Sequence, residues 1–244
     1  MIIQKIKMLI RAWHYRLHEN PNEISFIIEN SNSGDTLIDI GANKGGFLYW
    51  MINKSGRNGK VVGFEPQNFL FHFLKDFHRN KFPQVVIERY ALSDKDETVQ
   101  MIIPENNGKT SSPGASIHFK LEDSPTARLE NVQTITLDNY CVLNNLKPVL
   151  IKIDVEGHEL KVIKGGLNTL ANFKPKIILE CEAQQVGRNA VKETFDIILS
   201  LGYKGFFFYK GDKIDILNFN PEKHQPEKYD GKRSIEYCSN FFFV

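Results

Sequence analysis

The chain has 244 residues, 41% hydrophobic and 25% charged, with 31 Lys and Arg against 29 Asp and Glu for a formal net charge of +2. That length holds one large domain with its own core, and the near-neutral balance excludes a nucleic-acid binder that works through bulk electrostatics. The apolar runs are too short to cross a bilayer, and the widely spaced Cys141, Cys181 and Cys238 exclude a disulfide framework and fit a reducing, cytoplasmic setting.

Residues 1–20 form a first unit. Ile2, Ile6, Leu9, Ile10, Trp13 and Leu17 recur at helical spacing, while Lys5, Lys7, Arg11 and Arg16 interrupt the run and leave no signal-peptide core. Two readings of this amphipathic helix follow: it packs as an appendage or lid, or it lies on a membrane surface. Residues 21–244 read as one α/β domain. Strands at 36–40, 60–64 and 85–87 alternate with helices after Gly46 and over 68–80, which is the pattern of βαβ units in a parallel sheet covered on both faces. An irregular insertion near 97–135 interrupts it, with strands at 98–103 and 132–136 around a loop rich in Asn, Gly, Ser and Pro at 104–116. The doubly wound order resumes with strands at 149–153 and 176–181, a helix from about 157 to 171, and a helix from about 190 to Gly202. Tyr203 to Tyr209 and Phe241 to Phe243 are strand-forming and close the sheet.

Two segments carry chemistry. The first strand ends in Asp39-Ile40-Gly41 and passes through Asn43 and Gly45 into a helix, a nucleotide-type turn at a strand's carboxyl end. It matches neither G-x-G-x-x-G nor a triphosphate-gripping G-K-[ST] loop, and Asp39 suits a ligand with positive charge beside an adenosine. Glu65, before Pro66 at the end of the second strand, is placed to accept from both ribose hydroxyls; alone it would be a solvated strand-end charge. Asp94, after Ser93, lies where an adenine amino group is contacted, or else caps a turn.

The second segment, Ile151 to Glu159, brings Asp154, Glu156, His158 and Glu159 to the sheet edge, where burial and mutual repulsion raise a carboxylate toward a useful base. The plainer reading is that Glu156 and Glu159 favour a helix N-terminus. Asp154 and Glu180 would accept a hard ion such as Mg²⁺, although the spacing does not demand one. Ser111, Ser112, Ser116 and His118 suggest a lid over a polar substrate. Tyr203 and Phe206 to Tyr209 either stack on a sugar or fill the core.

Asp39 to Gly45, Phe64-Glu65-Pro66, Ala91 to Asp94, Thr136-Leu137-Asp138 and Ile151 to Gly157 occur in that order and together resemble the FkbM family of S-adenosylmethionine-dependent methyltransferases, over about 37–209. The resemblance implies a class I methyltransferase Rossmann-like fold, a seven-stranded mostly parallel sheet with helices on both faces and the last strand antiparallel. It implies methyl transfer to an oxygen of a small-molecule or glycan substrate. It places Asp39 and Gly41 near the methionine part of the cofactor, Glu65 and Pro66 at the ribose, Ser93 and Asp94 near the adenine, and Asn43 and Gly45 in the loop. Asp154, Glu156 and His158 are the catalytic candidates. Two other classes compete: an NAD-dependent sugar-modifying oxidoreductase on the same sheet, and a catalytically inactive binding module.

Overall fold

The computed structural model describes residues 2–78, 82–104, 115–117, 127–226 and 237–244. In chain order, α1 (Ile2–His14), a π-helical turn (Tyr15–Glu19) and α2 (Pro21–Glu29) precede β1 (Thr36–Ile40), α3 (Gly46–Ser55), β2 (Lys60–Phe64), α4 (Asn68–His78) and β3 (Val85–Glu88). The short β4 (Tyr90–Leu92), β5 (Thr98–Ile103) and β6 (Arg128–Ile135) follow, then α5 (Leu137–Leu143), β7 (Leu150–Ile153), α6 (Glu159–Lys164) and α7 (Leu167–Phe173). The chain ends with β8 (Lys176–Glu180), α8 (Ala183–Val186), α9 (Arg188–Ser200), β9 (Gly205–Tyr209), β10 (Asp212–Asp215), α10 (Pro221–His224) and β11 (Asn240–Phe243).

The main sheet runs β10-β9-β11-β8-β7-β1-β2-β3. From β3 to β8 the pairs are parallel, and β11 inserts antiparallel between β8 and β9. Its seven expected strands are all present. The eighth, β10, comes from a hairpin with β9, and its Asp212-Lys213-Ile214-Asp215 sequence gave no strand signal. The predicted helix 157–171 is two helices, because Gly165 and Gly166 separate α6 from α7. The insertion is more regular than its composition suggests: its β5 and β6 pair, and with β4 from just before it they build a separate three-stranded sheet. Of the expected lid, Ser111, Ser112 and His118 lie outside the described residues.

Why β1, β2 and β7 are central follows from their side chains. Ile38, Ile40, Val62, Phe64, Ile151 and Ile153 face one core layer, and Leu37, Val61 and Leu150 face the other. Strands buried on both faces need such unbroken apolar runs. The carboxyl-end aromatics belong to this core: Phe207 is fully buried and Phe206 stacks on Phe242 with centroids 5.1 Å apart. They do not line the cleft described below, so the sugar-stacking reading of this strand falls. At the other end, α1 packs on α3, with Ala12 fully buried and the Trp50 indole N–H donating to the Ala12 carbonyl at 3.0 Å.

Candidate active site

A cleft with a volume of about 170 Å³ lies at the carboxyl ends of β1, β2 and β7. Open parallel sheets bind ligands at this edge, where the strand order reverses. The loop after β1 is held between its neighbours: the Gly41 and Ala42 amides donate to Phe64 O, and the Asp154 amide donates to Ile40 O. Gly41 has φ +82°, and a Cβ there would lie 1.8 Å from the Asp154 carbonyl oxygen. Only glycine permits that contact. Gly45, also left-handed, forms the N-cap of α3.

Glu65 is buried at one end of the cleft. Its two carboxylate oxygens accept from the Asn43 amide at 2.8 Å and the Gln67 amide at 2.9 Å. Burial pushes the group up to about 7 in spite of these bonds. Pinned by both amides, the carboxylate keeps lone pairs for two ligand hydroxyls. Pro66 and Gln67 continue this wall, and Tyr90, Ala91 and Leu92 form its apolar side.

The other end holds a residue that the motif analysis did not single out. Lys152 lies mid-strand in β7, 4% exposed, with Nζ 3.0 Å from Asp154 Oδ2, 3.5 Å from Asp39 Oδ1 and 4.6 Å from the centre of the Phe47 ring. Burial works against its charge, but Asp154 and Asp39 outweigh that and hold the ammonium above the ordinary lysine range. The parallel register sets Lys152 directly beside Asp39. The expectation that Asp39 faces a cationic ligand is thereby corrected: Asp39 is fully buried, does not line the cleft, and its cation is Lys152. The signal was present in the sequence, since a lysine inside an apolar strand two residues from an aspartate shares that aspartate's face.

Glu156 leaves β7 with φ +53°, a left-handed conformation costly for a side chain with a Cβ. The Ser116 hydroxyl donates to its carbonyl at 2.6 Å, and Gln185 Nε2 donates to its Oε2 at 2.8 Å. Burial, then Asp154, pushes the carboxyl up to about 8. Glu159 does not line the cleft. It accepts from the Gly157 amide at 3.0 Å and the Val155 amide at 3.3 Å, so the helix-start reading describes it.

Gly41, Asn43, Glu65, Pro66, Asp154, Glu156, His158 and Glu180 are therefore brought together around one cleft, whereas Asp39, Gly45, Ser93 and Asp94 are not among its walls. The Ser93 hydroxyl instead meets Asp94 Oδ1 at 3.1 Å and the Nε2 of the wall residue His158 at 3.0 Å. Among the described residues no group of three or more His, Cys, Asp or Glu is arranged to hold a metal ion. The Lys152 ammonium sits between Asp39 and Asp154 and occupies the Asp154 carboxylate, so the residues do not fit the Mg²⁺ site expected at Asp154 and Glu180.

A mostly parallel sheet in this order, with β11 antiparallel between β8 and β9, a glycine turn after β1 and an acid at the end of β2, has the class I methyltransferase fold. The model of the methyltransferase FkbM domain matches residues 39–208, and the chain belongs to that family. By family and fold it is an S-adenosylmethionine-dependent methyltransferase, which sets the NAD-dependent alternative aside. The hexuronic acid methyltransferase AglP of Haloferax volcanii is 29% identical over 187 residues, covering 73% of this chain and 69% of that protein. A crystal structure of the methyltransferase FkbM from Methylobacillus flagellatus superposes with a TM-score of 0.54 at 15% identity over 99% of this chain. The chain spans 55% of that structure's length.

Proposed function

We propose that this chain transfers the methyl group of S-adenosylmethionine to a sugar hydroxyl, in a glycan or natural product, with Glu156 as general base. The observation that carries the base assignment is the Glu156 carboxyl itself, held in a strained backbone on the cleft wall and raised to about 8. A base poised near the working pH takes a hydroxyl proton most effectively. The cleft fits the donor: Glu65 for its ribose, the apolar Tyr90 to Leu92 wall for its adenine, and the acidic Asp154 and Glu156 end for its positive centre. When bound, the donor supplies an electrophilic methyl group and a leaving group that departs neutral, so the chain need not provide a general acid. Asp154, fixed by Lys152, sets negative charge beside the donor, and His158 remains a wall residue of the same edge. The sugar class is supported by the relative that methylates hexuronic acid.

Incubation with labelled S-adenosylmethionine and a panel of neutral and acidic sugars tests this reading, with mass increase of one sugar by a methyl group as the expected result. No labelled acceptor from folded, donor-binding protein would favour the inactive-module reading. Asp154→Asn should weaken donor binding about tenfold or more, because it removes the negative charge beside the donor while asparagine still accepts from Lys152; a variant that binds the donor like the wild type removes Asp154 from the site.

Contact with a membrane surface is also part of the proposal. Leu9, Ile10, Trp13 and Leu17 are exposed along α1 and its π-helical turn, next to Arg11 and Arg16. Amphipathic helices of this kind bind anionic bilayers through apolar burial and basic charge. The protein should sediment with phosphatidylglycerol vesicles, less with phosphatidylcholine, and Ile10→Asp with Leu17→Asp should abolish sedimentation. Among the described residues no helix is long and apolar enough to cross a membrane.

A further inference from the structure

The family match begins at residue 39, yet the cleft has a wall from well before it. Tyr15 opens the π-helical turn, whose wider ring is closed by the Asn20 amide donating to the Tyr15 carbonyl at 2.7 Å. Short π-helical turns inside helices cluster at functional sites. The turn swings the half-buried Tyr15 ring into the cleft beside Phe47, with centroids 5.6 Å apart. A Cβ on Gly46 would lie 2.5 Å from that ring, so the glycine at the start of α3 is what admits it. Two further bonds tie the segment to the site: Arg11 Nη1 donates to the Lys44 carbonyl at 3.3 Å, and Trp50 Nε1 to that of Ala12 at 3.0 Å. Tyr15 therefore stands at the Lys152–Asp154 end of the cleft, opposite Glu65.

We infer that Tyr15 is a donor-binding residue that closes the amino-acid end of the cleft, so that the N-terminal segment is an integral part of the cofactor site. The inference rests on the reading of the cleft as the S-adenosylmethionine site. The chemistry of the end fits an α-amino acid. The Lys152 ammonium and the α3 N-terminus favour its carboxylate, Asp154 its ammonium, and the phenol supplies a donor and an apolar face. Burial and the nearby Glu19 hold the phenol above its ordinary value, so it keeps its proton at neutral pH.

The test compares two ligands by titration calorimetry: S-adenosylhomocysteine, which carries the amino-acid end, and 5′-methylthioadenosine, which lacks it. Tyr15→Ala should weaken S-adenosylhomocysteine about tenfold or more, the loss of one buried hydrogen bond with its packing, and leave 5′-methylthioadenosine within about twofold. Tyr15→Leu keeps apolar bulk against Gly46 and Phe47, so it reports the same split if the alanine variant does not fold. Wild-type protein that binds neither ligand overturns the donor reading and this inference with it. Wild-type binding with a variant that loses nothing, or loses both ligands equally, overturns the role of Tyr15 alone.

Discussion

Glu156→Gln should lower kcat by about 10²–10⁴-fold, the usual contribution of a positioned general base, with donor affinity little changed. The wild-type protein should show kcat/KM rising about tenfold per pH unit up to about 8 and levelling above, because the carboxyl is pushed up to about 8 and acts only when ionised. The glutamine variant should lose that limb. Its amide oxygen still accepts from Gln185, and its backbone still presents a carbonyl to Ser116, so the scaffold survives. A second consequence separates catalysis from structure. An acid whose pKa is raised by folding holds a proton that the unfolded chain releases. Its stabilising contribution is therefore full below its unfolded value of 4.5 and lost as pH rises through about 8. Glutamine removes this dependence, so the donor-free variant should melt a few degrees above the wild type at alkaline pH and not at acidic pH. A variant equally active across the pH range would move the base to another group.

Much of this site is legible in the sequence alone, and the reasons differ residue by residue. Gly41 and Glu65 were readable because strand ends in a βαβ unit announce themselves through an apolar run followed by a turn, and the two strands pair in register. Glu156 was readable as an ionisable group at such an end, but its left-handed backbone was not, since nothing in a non-glycine residue marks a positive φ. Asp39 was misjudged. A strand-end acid reads alike whether it faces a ligand or a neighbouring strand, and only the register against β7 shows that Asp39 meets Lys152. Ser93 and Asp94 follow β4, which joins the second sheet, and the Ser93 hydroxyl is engaged by the ring of His158. Tyr15 was hidden because helical periodicity fixes a face only while the helix stays α, and the π-helical turn shifts the phase.

The largest structural effect is expected at Lys152. Replacement by Met preserves its length against Phe47 but removes the cation that pairs with both Asp39 and Asp154. Asp39 bears that loss in full, because it is entirely buried and, among the described residues, its carboxylate oxygens have no donor other than the lysine of the ion pair. Breaking a buried pair from one side costs about 3–5 kcal/mol, which for a chain of this size lowers Tm by about 10 °C. Adding Asp39→Asn to Lys152→Met should restore much of the lost stability, since the unpaired buried charge disappears with it. Donor affinity should stay low in the double variant, because the ammonium that anchors Asp154 at the cleft is still missing. Recovery of stability without recovery of binding would separate the two duties of one lysine: neutralising the buried strand-end aspartate, and fixing the second aspartate where the donor sits. A single Lys152→Met variant as stable as the wild type would show instead that Asp39 is carried as the neutral acid, and the ion triad would lose its structural role.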